Sequence, residues 1–261
     1  MKSQQSQVII IKASKTVKLL NTLIFKIIYI LGNLVSRTFN KMDDELKKNI
    51  LKTGTSLVGL VCKDGIVMAG DRKATAGGQI VMQKNAKKVV QINDYIVTSG
   101  TGTSSDIELL QKLARAELRL KELRDKKRPT VKEAANLIGM IAYRNIRQPS
   151  MIPFIAGTMV GGLDEDGKAK LFSIEPAGGV NEVEDYDANF SSGMPYILGL
   201  LERQYRKDLT IEEGIKLAIE SIKSSSQRDT ASGHGVDVFT ITKQGIKQVV
   251  KQTANSVYTE D

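Results

Sequence analysis

The sequence predicts an α+β fold in which two antiparallel sheets pack face to face and helices cover both outer sides, giving four layers in the order αββα. Short apolar segments of strand length occur in pairs around turn residues, amphipathic helices follow them, and this order occurs twice. Because hairpins rather than single crossover helices join the strands, the sheets should be antiparallel. The chain also lacks the glycine fingerprint of a Rossmann fold.

Four predicted strands open the globular part of the chain. A KDG turn joins the first two, and Asp94 separates the next two, as expected for hairpins. The strands are residues 57–62 (LVGLVC), 66–70 (IVMAG), 89–93 (VVQIN) and 95–100 (YIVTSG).

Two amphipathic helices are predicted next. In the first, apolar residues recur at helical spacing, and Ser105 or Asp106 should be its N-cap. These apolar residues are Ile107, Leu110, Leu113, Ala114 and Leu118. The second helix runs to about Arg147, and Thr130 with Glu133 predicts a capping box at its start.

The second half of the chain repeats this order. Two strands are predicted on either side of a DEDG turn, two helices follow, and a final hairpin ends the pattern. Thr210 and Glu213 predict a capping box for the second of these helices. The segments are residues 154–163, 168–174, 195–205, 210–222, 236–241 and 246–250.

Cysteine and histidine are nearly absent, which restricts the chemistry. Cys62 is the only cysteine, so the chain has no internal disulfide. We expect Cys62 to act as a small apolar residue in a strand. His234 is the only histidine and lies in SGHGVD, where a solvated turn is expected. No metal site and no organic cofactor are predicted, and a general base should be an amine or a carboxylate.

The net charge of +9 is unevenly distributed. Residues 1–54 contain ten Lys or Arg and three acidic residues, whereas residues 55–261 contain 28 Lys or Arg and 26 acidic residues. The nearly neutral part lacks a basic helix or an arginine cluster interleaved with aromatic residues, the features that follow a phosphate backbone. The sequence therefore argues against nucleic-acid binding.

Residues 17–35 form the most hydrophobic segment, interrupted by Lys18 and Lys26. Its length is near the minimum for a bilayer crossing, a lysine near the middle is costly, and no clear signal-peptidase site follows. Alternatively, translation starts at Met42 and residues 1–41, which contain no acidic residue, are a start-site artefact. A membrane span, a secretory signal and a start-site artefact are the three interpretations, and the last is preferred.

Residues 100–106 (GTGTSSD) look at first like a phosphate-binding loop. They lack the P-loop pattern, and no lysine follows at the helix start, so nucleotide binding is not predicted. A glycine loop at a helix N-terminus presents backbone N–H groups, which are equally suited to binding an oxyanion.

Residues 53–56 (TGTS) stand directly before the first predicted strand. If the bond between Gly54 and Thr55 is cut, Thr55 gains a free α-amine with a pKa of about 7.7 to 8.0, so that a fraction is neutral at physiological pH. The hydroxyl nucleophile then carries its own base, and no histidine is needed. Gly54 fits this interpretation, because a turn without a side chain lets the hydroxyl reach the preceding carbonyl.

Six motifs occur in a specific order: Gly54-Thr55, GDRKAT at 70–75, NAKKVVQI at 85–92, GTGTSSD at 100–106, SSGMP at 191–195 and QRDTASG at 227–233. Together they resemble a proteasome β subunit of the archaeal type. The resemblance covers about residues 54–250. It implies the N-terminal nucleophile hydrolase fold, a four-layer sandwich that agrees with the strand and helix pattern.

The resemblance implies that Thr55 is the catalytic nucleophile and that Asp71 forms a buried pair with a lysine beside it. The lysine charge would favour the deprotonated hydroxyl, and the carboxylate would hold the lysine in place. Lys87 and Lys88 cannot both face the site from a strand, because adjacent side chains point to opposite faces. Lys88, which directly precedes two valines, is the first choice and Lys87 the second.

Four further residues match the family's catalytic set. Ser192, Asp229 and Ser232 match the residues that hydrogen-bond the terminal amine and help to set its proton affinity. Gly102 matches the glycine whose backbone N–H binds the oxyanion, and loss of one such donor commonly costs about 100 to 1,000-fold in rate.

The resemblance also implies a pocket for the substrate side chain that precedes the cleaved bond. Gly100 matches the family position at the floor of this pocket, and Glu108 matches a position in its wall. A small floor with an acid favours basic residues. Ser56 and Leu57 stand where threonines are more usual, and Lys73 stands where arginine is frequent. None of these departures removes a catalytic group.

The sequence hypothesis is a catalytic β subunit of a proteasome core, a threonine endopeptidase that cuts its own Gly54-Thr55 bond. Residues 1–54 would be a leader and residues 55–261 the peptidase domain. The resemblance implies other β subunits in a seven-membered ring, α-subunit rings, an indirect regulatory ATPase and unfolded polypeptide substrates. It also implies a cytoplasmic location without membrane contact for the mature chain.

The sequence leaves three alternatives to a catalytic proteasome β subunit. The bacterial proteasome-like heat-shock protease shares the amino-terminal threonine, but RDTASG and SSG favour the proteasome. A non-catalytic structural β subunit would keep its leader in the assembled particle. A membrane-attached binding protein would use residues 17–35.

Overall fold

The computed structural model describes residues 26, 27, 29, 30, 54–150 and 152–254. The chain divides into two units, residues 1–48 and 49–261. The four described residues of the first unit are helical. All other elements belong to the second unit and are described by themselves.

Several predictions for the leader fall largely outside the described residues. They are the leader of residues 1–54, the start at Met42 and the apolar segment 17–35. Of residues 1–54, only 26, 27, 29, 30 and 54 are described. Among the described residues, no helix has the length and apolar character needed to cross a membrane.

Beyond residue 53, the described residues form twelve strands and four helices. In chain order the strands are β1 (Leu57–Cys62), β2 (Gly65–Asp71), β3 (Ala74–Ala76), β4 (Ile80–Gln83), β5 (Val89–Gln91), β6 (Ile96–Gly102), β7 (Ala156–Leu163), β8 (Ala169–Ile174), β9 (Val180–Val183), β10 (Tyr186–Asp187), β11 (Gly235–Thr242) and β12 (Gly245–Thr253). The helices are α1 (Ser104–Asp125), α2 (Val131–Ile146), α3 (Met194–Gln204) and α4 (Ile211–Ser226).

The strands form two five-stranded sheets, which confirms the predicted α+β class. The first sheet has the order β10-β1-β2-β11-β12 and the second the order β5-β6-β7-β8-β9, while β3 and β4 form a separate hairpin. Every pairing is antiparallel. The hairpin connections seen in the sequence therefore led to the correct strand orientation.

Strand alternation divides the core into three apolar clusters and sets the layers. In β1, Val58 and Leu60 pack with α3 and α4, whereas Leu57 packs between the two sheets with Met68 and Met159. A third cluster lies between the second sheet and helices α1 and α2. Because side chains of a strand alternate between faces, one strand serves two clusters, and the layers follow the order αββα.

Close approach of the two sheets requires a small residue at Gly161 in β7. A Cβ atom there would lie 2.5 Å from Sδ of Met68 and 2.6 Å from Cδ1 of Ile241. Cys62, at the end of β1, lies on the opposite face of the first sheet and is only 6% exposed. Burial raises the pKa of its thiol to about 12, with smaller contributions from Asp64 and Glu213. Its predicted role as a small apolar strand residue is confirmed.

Both predicted capping boxes are present. Thr130 is the N-cap of α2 and Thr210 the N-cap of α4, and each hydroxyl accepts from the backbone N–H of a glutamate three residues later, Glu133 or Glu213. Each glutamate carboxylate accepts in return from the threonine backbone N–H. These signals depend only on local sequence, which explains why they could be read correctly.

The predicted N-cap of α1 was wrong. The helix begins at Ser104 with Thr103 as N-cap, because the Thr103 carbonyl already accepts from the N–H groups of Asp106 and Ile107. Asp106 lies inside the first turn, and its Oδ2 atom accepts from Ile155 N at 3.0 Å. The Asp106 carboxylate, which the local pattern assigned to the N-cap, therefore binds a backbone N–H 49 residues away instead.

The buried face of α1 is narrower than the apolar pattern suggested. Leu110, Ala114 and Leu118 are buried, and Ile107 is partly buried, whereas Leu113 is 37% exposed. The sequence analysis also did not predict the β3–β4 hairpin or the short strands β9 and β10. The residues of β4 are all exposed, so no alternation of buried and exposed positions marks this strand.

Candidate active site

Thr55 lies two residues before β1, and its hydroxyl is held against the preceding peptide bond. The residue is only 4% exposed. Its Oγ1 atom donates to the carbonyl oxygen of Gly54 at 2.7 Å. The hydroxyl oxygen therefore lies beside the carbonyl group of the Gly54-Thr55 bond.

Gly54 fits a space that admits no side chain. A Cβ atom at this position would lie 1.9 Å from Cβ of Ala231 and 2.3 Å from its carbonyl oxygen. The Gly54 N–H donates to Oγ1 of Thr75 at 3.2 Å, so the peptide before the bond is fixed as well. Besides the predicted turn, close contact with the loop that contains Asp229 and Ala231 is a second reason why residue 54 must be glycine.

Asp71, the last residue of β2, forms a buried ion pair with Lys88. The Nζ atom of Lys88 lies 2.7 Å from Oδ1 of Asp71, and the two side chains are 8% and 0% exposed. The same Nζ atom donates to the Gly54 carbonyl oxygen at 2.8 Å. One ammonium group thus contacts both the carboxylate and the carbonyl that the Thr55 hydroxyl contacts.

Backbone N–H groups hold the Asp71 carboxylate in addition to Lys88. Oδ1 accepts from Ser56 N at 2.8 Å, and Oδ2 accepts from Lys73 N at 3.1 Å and Gly233 N at 2.9 Å. The carboxylate therefore links the residue before β1, the turn after β2 and the loop before β11. Such satisfaction is what allows an ionised carboxylate to remain buried.

Lys88 and Lys87 have different surroundings. Lys88 is 9% exposed, whereas Lys87 is exposed, and both residues precede β5 directly. Burial lowers the pKa of Lys88 from the usual lysine value, and the charge of Asp71 offsets this effect only in part. Of the two lysines, Lys88 is the one whose Nζ atom contacts Asp71 and Gly54.

Ser192, Asp229 and Ser232 lie together on the other side of Thr55. Ser192 Oγ accepts from Thr55 N at 3.0 Å, and Asp229 Oδ2 accepts from the hydroxyls of Ser192 and Ser232, each at 2.6 Å. Oδ1 of Asp229 accepts from Ala231 N at 3.0 Å. The hydroxyl and carboxylate groups therefore form a continuous path to the Thr55 nitrogen.

A cavity of about 290 Å³ opens beside Thr55 and contains both predicted pocket residues, Gly100 and Glu108, in its lining. A Cβ atom at Gly100 would lie 2.3 Å from Cγ2 of Ile107, so glycine permits α1 to pack closely against β6. The Glu108 carboxylate is 66% exposed and pairs with Lys112 at 2.6 Å.

Gly102 also lines this cavity and has a φ of +116°. A Cβ atom there would lie 2.2 Å from the Ile155 carbonyl oxygen, and a positive φ disfavours any other residue. The last residue of β6 therefore lines the cavity without a side chain. Among the described residues, no group of three or more His, Cys, Asp and Glu side chains is arranged to hold a metal ion.

His234 lies at a bend with a φ of +60°, between two glycines whose φ values are also positive. The predicted turn is confirmed, but the residue is partly buried and not fully solvated. Burial lowers the pKa of His234, and the charges of Lys73 and Lys84 lower it further. The side chain makes no hydrogen bond among the site residues described above.

A family model described as Proteasome subunit matches residues 51–241 of this chain. The chain belongs to the proteasome subunit family. The resemblance read from the six motifs is therefore confirmed, and the two-sheet sandwich agrees with the fold of proteasome subunits.

Relatives of this chain include archaeal proteins named Proteasome subunit beta. A protein named Proteasome subunit beta from Methanocaldococcus vulcanius is 39% identical over 194 residues, which are 74% of this chain and 84% of the relative. The protein of that name from Nanoarchaeum equitans is 36% identical over 195 residues, 75% of this chain and 96% of the relative. That from Methanobrevibacter smithii is 37% identical over 216 residues, 83% and 98% of the two chains.

The sequence analysis of this proteasome subunit missed three contributors to the site. Ser56, Lys73 and Thr75 all lie within or beside the quoted motifs, but no local pattern marks their contacts. Lys73 Nζ donates to the carbonyl oxygens of Thr230 at 2.8 Å and Ser232 at 3.0 Å. It thereby fastens the loop that contains Asp229 and Ser232 to the end of β2.

Proposed function

We propose that this proteasome subunit is a catalytic β subunit, a threonine endopeptidase whose nucleophile is Thr55. One observation carries the proposal. The Thr55 hydroxyl and the Lys88 ammonium both donate to the Gly54 carbonyl oxygen, at 2.7 and 2.8 Å, in a buried position. A nucleophile and a cation therefore meet at the peptide bond whose cleavage would free the Thr55 amine.

Self-cleavage begins when the Thr55 Oγ1 atom attacks the Gly54 carbonyl carbon. The tetrahedral intermediate collapses with rupture of the C–N bond, the Thr55 nitrogen takes the hydroxyl proton, and the Gly54 acyl group becomes an ester of Thr55. Water then hydrolyses this ester, releasing the Gly54 carboxylate and restoring the hydroxyl. Lys88 stabilises the negative charge that develops on oxygen, and Asp71 keeps the ammonium in place.

Peptide hydrolysis uses the amine that self-cleavage frees. A neutral α-amine, with an ordinary pKa of about 7.7 to 8.0, takes the proton of the Thr55 hydroxyl and passes it to the leaving amine of the substrate. The resulting acyl ester is hydrolysed by water with the amine as base. Ser192 and Asp229, which contact the Thr55 nitrogen directly and through one hydroxyl, bias the proton affinity of that amine.

Gly102 is the proposed oxyanion donor for substrate cleavage. Support comes from its position in the lining of the cavity beside Thr55, at the end of β6 and directly before the N-cap of α1. A backbone N–H near a helix N-terminus is suited to a developing negative charge.

The cavity beside Thr55 is the proposed pocket for the residue before the cut. Gly100 leaves its floor without a side chain, and Glu108 supplies a carboxylate at the wall, which supports a preference for basic residues. Lys112 of the same helix pairs with Glu108, so a basic substrate side chain would compete with Lys112 for the Glu108 carboxylate.

Residues 55–261 form the proposed mature peptidase, and residues 1–54 the leader that is removed. A peptidase free in the cytoplasm would cut the cell's own folded and unfolded proteins, so we assign the mature chain to an enclosed particle, a seven-membered β ring stacked on α-subunit rings. Unfolded polypeptides are the substrates, a regulatory ATPase acts on the particle indirectly, and the location is the cytoplasm.

The test is the intact mass and N-terminal sequence of the β chain recovered from the assembled particle. A chain that begins TSLVGL supports cleavage at Gly54-Thr55, and a block by Thr55→Ala supports Thr55 as the nucleophile of that cleavage. A chain that keeps its leader leaves Thr55 without a free amine. That result would overturn the peptidase proposal in favour of a non-catalytic structural subunit.

A further inference from the structure

Ser56 is a fully buried polar residue that contacts the hydroxyl network of the site. It is 0% exposed, and its Oγ atom lies 2.7 Å from Oγ of Ser232. Its backbone N–H and carbonyl both pair with Asp71, at 2.8 and 3.0 Å. Ser56 is therefore the residue at which the Asp71 side and the Asp229 side of the site meet.

The direction of the hydrogen bonds follows from the chemistry of Asp229. An ionised carboxylate only accepts, so the hydroxyls of Ser232 and Ser192 must both donate to its Oδ2 atom. Ser232 has one hydroxyl proton, which it donates in the hydrogen bond to Asp229, so its oxygen must accept the hydrogen bond from Ser56. The order of donation is Ser56 to Ser232 to Asp229.

The Ser192 branch ends at the nucleophile. Because the Ser192 proton is directed to Asp229, its oxygen is available to accept from the Thr55 nitrogen at 3.0 Å. The Thr55 carbonyl oxygen also lies 3.0 Å from Ser192 Oγ, but it accepts from Gly193 N at 3.1 Å, and the shorter contact of Ser192 Oγ is the one to Asp229, at 2.6 Å. The charge density on Asp229 is thus one hydroxyl away from the atom that serves as base.

The Ser56 hydroxyl occupies space that is free because residue 193 is a glycine. A Cβ atom at Gly193 would lie only 2.0 Å from Ser56 Oγ. Ser232, the partner of this hydroxyl, is 1% exposed, so water does not replace the bond easily. Both ends of the Ser56-Ser232 contact are therefore enclosed by protein.

We propose that Ser56 is a positioning residue for the threonine peptidase reaction, acting on the Thr55 amine through Ser232, Asp229 and Ser192. This inference rests on the proposed function. A hydroxyl that accepts a hydrogen bond becomes a better donor, so Ser56 strengthens the bond from Ser232 to Asp229 and disperses the carboxylate charge. Without Ser56, Asp229 holds a proton on the amine more strongly, and less of the amine is neutral near pH 7.

The test compares kcat/KM from pH 6 to 9 for wild-type, Ser56→Ala and Ser56→Thr particles, with the active sites titrated. In Ser56→Ala we expect a roughly three- to ten-fold lower kcat/KM at pH 7, the size set by one buried neutral hydrogen bond. The loss should be smaller at pH 9, because the acidic limb moves to higher pH. Ser56→Thr keeps the hydroxyl and should restore the wild-type limb.

Unchanged acidic limbs in both variants, or a loss of equal size at every pH, would overturn the inference. Ser56→Ala in a Ser232→Ala background supplies a second criterion: the two losses should not add, since the Ser56 effect passes through Ser232. If Ser56→Ala fails to assemble, Ser56→Cys replaces it, because a thiol is similar in shape and a weak donor. A wild-type particle without Thr55-dependent activity would refute the proposed function itself.

Discussion

The ammonium group of Lys88 lies 2.7 Å from Oδ1 of Asp71, and burial of both side chains makes the pair sensitive to the loss of either partner. The pair contacts the Gly54-Thr55 peptide through the Gly54 carbonyl oxygen. We therefore expect loss of Lys88 to affect both the stability of the fold and the proposed self-cleavage.

Lys88→Ala should abolish self-cleavage and lower stability. Removal of one partner leaves the Asp71 charge buried without its ammonium, which typically costs about 3–5 kcal/mol. The intact mass should show a retained leader, and chemical denaturation should show the destabilisation. Lys87→Ala is the matched control, because the neighbouring lysine is exposed and should leave both readouts near wild type. Equal effects of the two substitutions would contradict the assignment of Lys88.

The alkaline limb of kcat/KM should lie below the ordinary lysine range. Burial lowers the pKa of Lys88, so the ammonium loses its proton, and with it the stabilisation of the alkoxide, as the pH rises through this lowered value. Activity should be measured from pH 7 to 10.5 with a peptide that does not titrate. In Lys88→Arg, which stays protonated, the limb should disappear even if the rate is lower. Persistence of the limb in that variant would assign it to another group.

Gly54→Ala should block processing at Gly54-Thr55. The added Cβ would lie 1.9 Å from Cβ of Ala231, so the carbonyl cannot keep its position beside the Thr55 hydroxyl. The fraction of precursor in purified particles measures the effect. Gly199→Ala in α3 is the control, because no atom lies within 4 Å of the added methyl and alanine favours a helix. Normal processing of Gly54→Ala would show that the loop around Ala231 adapts.

Lys126→Gly should raise the melting temperature without changing activity. Lys126 follows α1 in the left-handed conformation, with φ of 49° and ψ of 29°, and is exposed. A glycine at the end of a helix relieves a strain of about 1 kcal/mol at such a position. Thermal unfolding of Lys127→Gly gives the comparison, since that residue has no positive φ. A gain of equal size in Lys127→Gly would refute the conformational explanation.

Glu108→Gln should lower the cleavage of fluorogenic peptides with a basic residue before the cut. The substitution removes the carboxylate from the cavity wall and leaves Lys112 unpaired near the pocket. Cleavage after apolar residues is the internal reference and should change little. A wild-type enzyme that cuts basic and apolar peptides equally well would contradict the proposed preference.

Local signals predicted much of the fold. The capping boxes at Thr130 and Thr210 depend on residues three apart, and the KDG turn between β1 and β2 joins adjacent strands. The β3–β4 hairpin escaped prediction because β3 has only three residues, with Thr75 as its one buried position, and the residues of β4 are all exposed. Asp106 was assigned wrongly because its partner, Ile155, lies 49 residues away.

The site shows the same division between local and long-range information. The motifs identified Thr55, Asp71 and Lys88 as neighbours, and these residues do lie together. Ser56 could not be singled out, because its hydroxyl partner Ser232 is 176 residues distant. A serine has no local pattern that reports such a contact, so only the packed fold reveals it.

The burial of Cys62 beneath α4 has a practical consequence for chemical labelling. It is the only cysteine of the chain, and a thiol with a pKa of about 12 remains protonated and unreactive near neutral pH. A single mass adduct that an electrophile leaves on this chain near neutral pH is therefore not expected on Cys62. A cysteine introduced on the surface would likewise be the sole point of attachment for a maleimide dye.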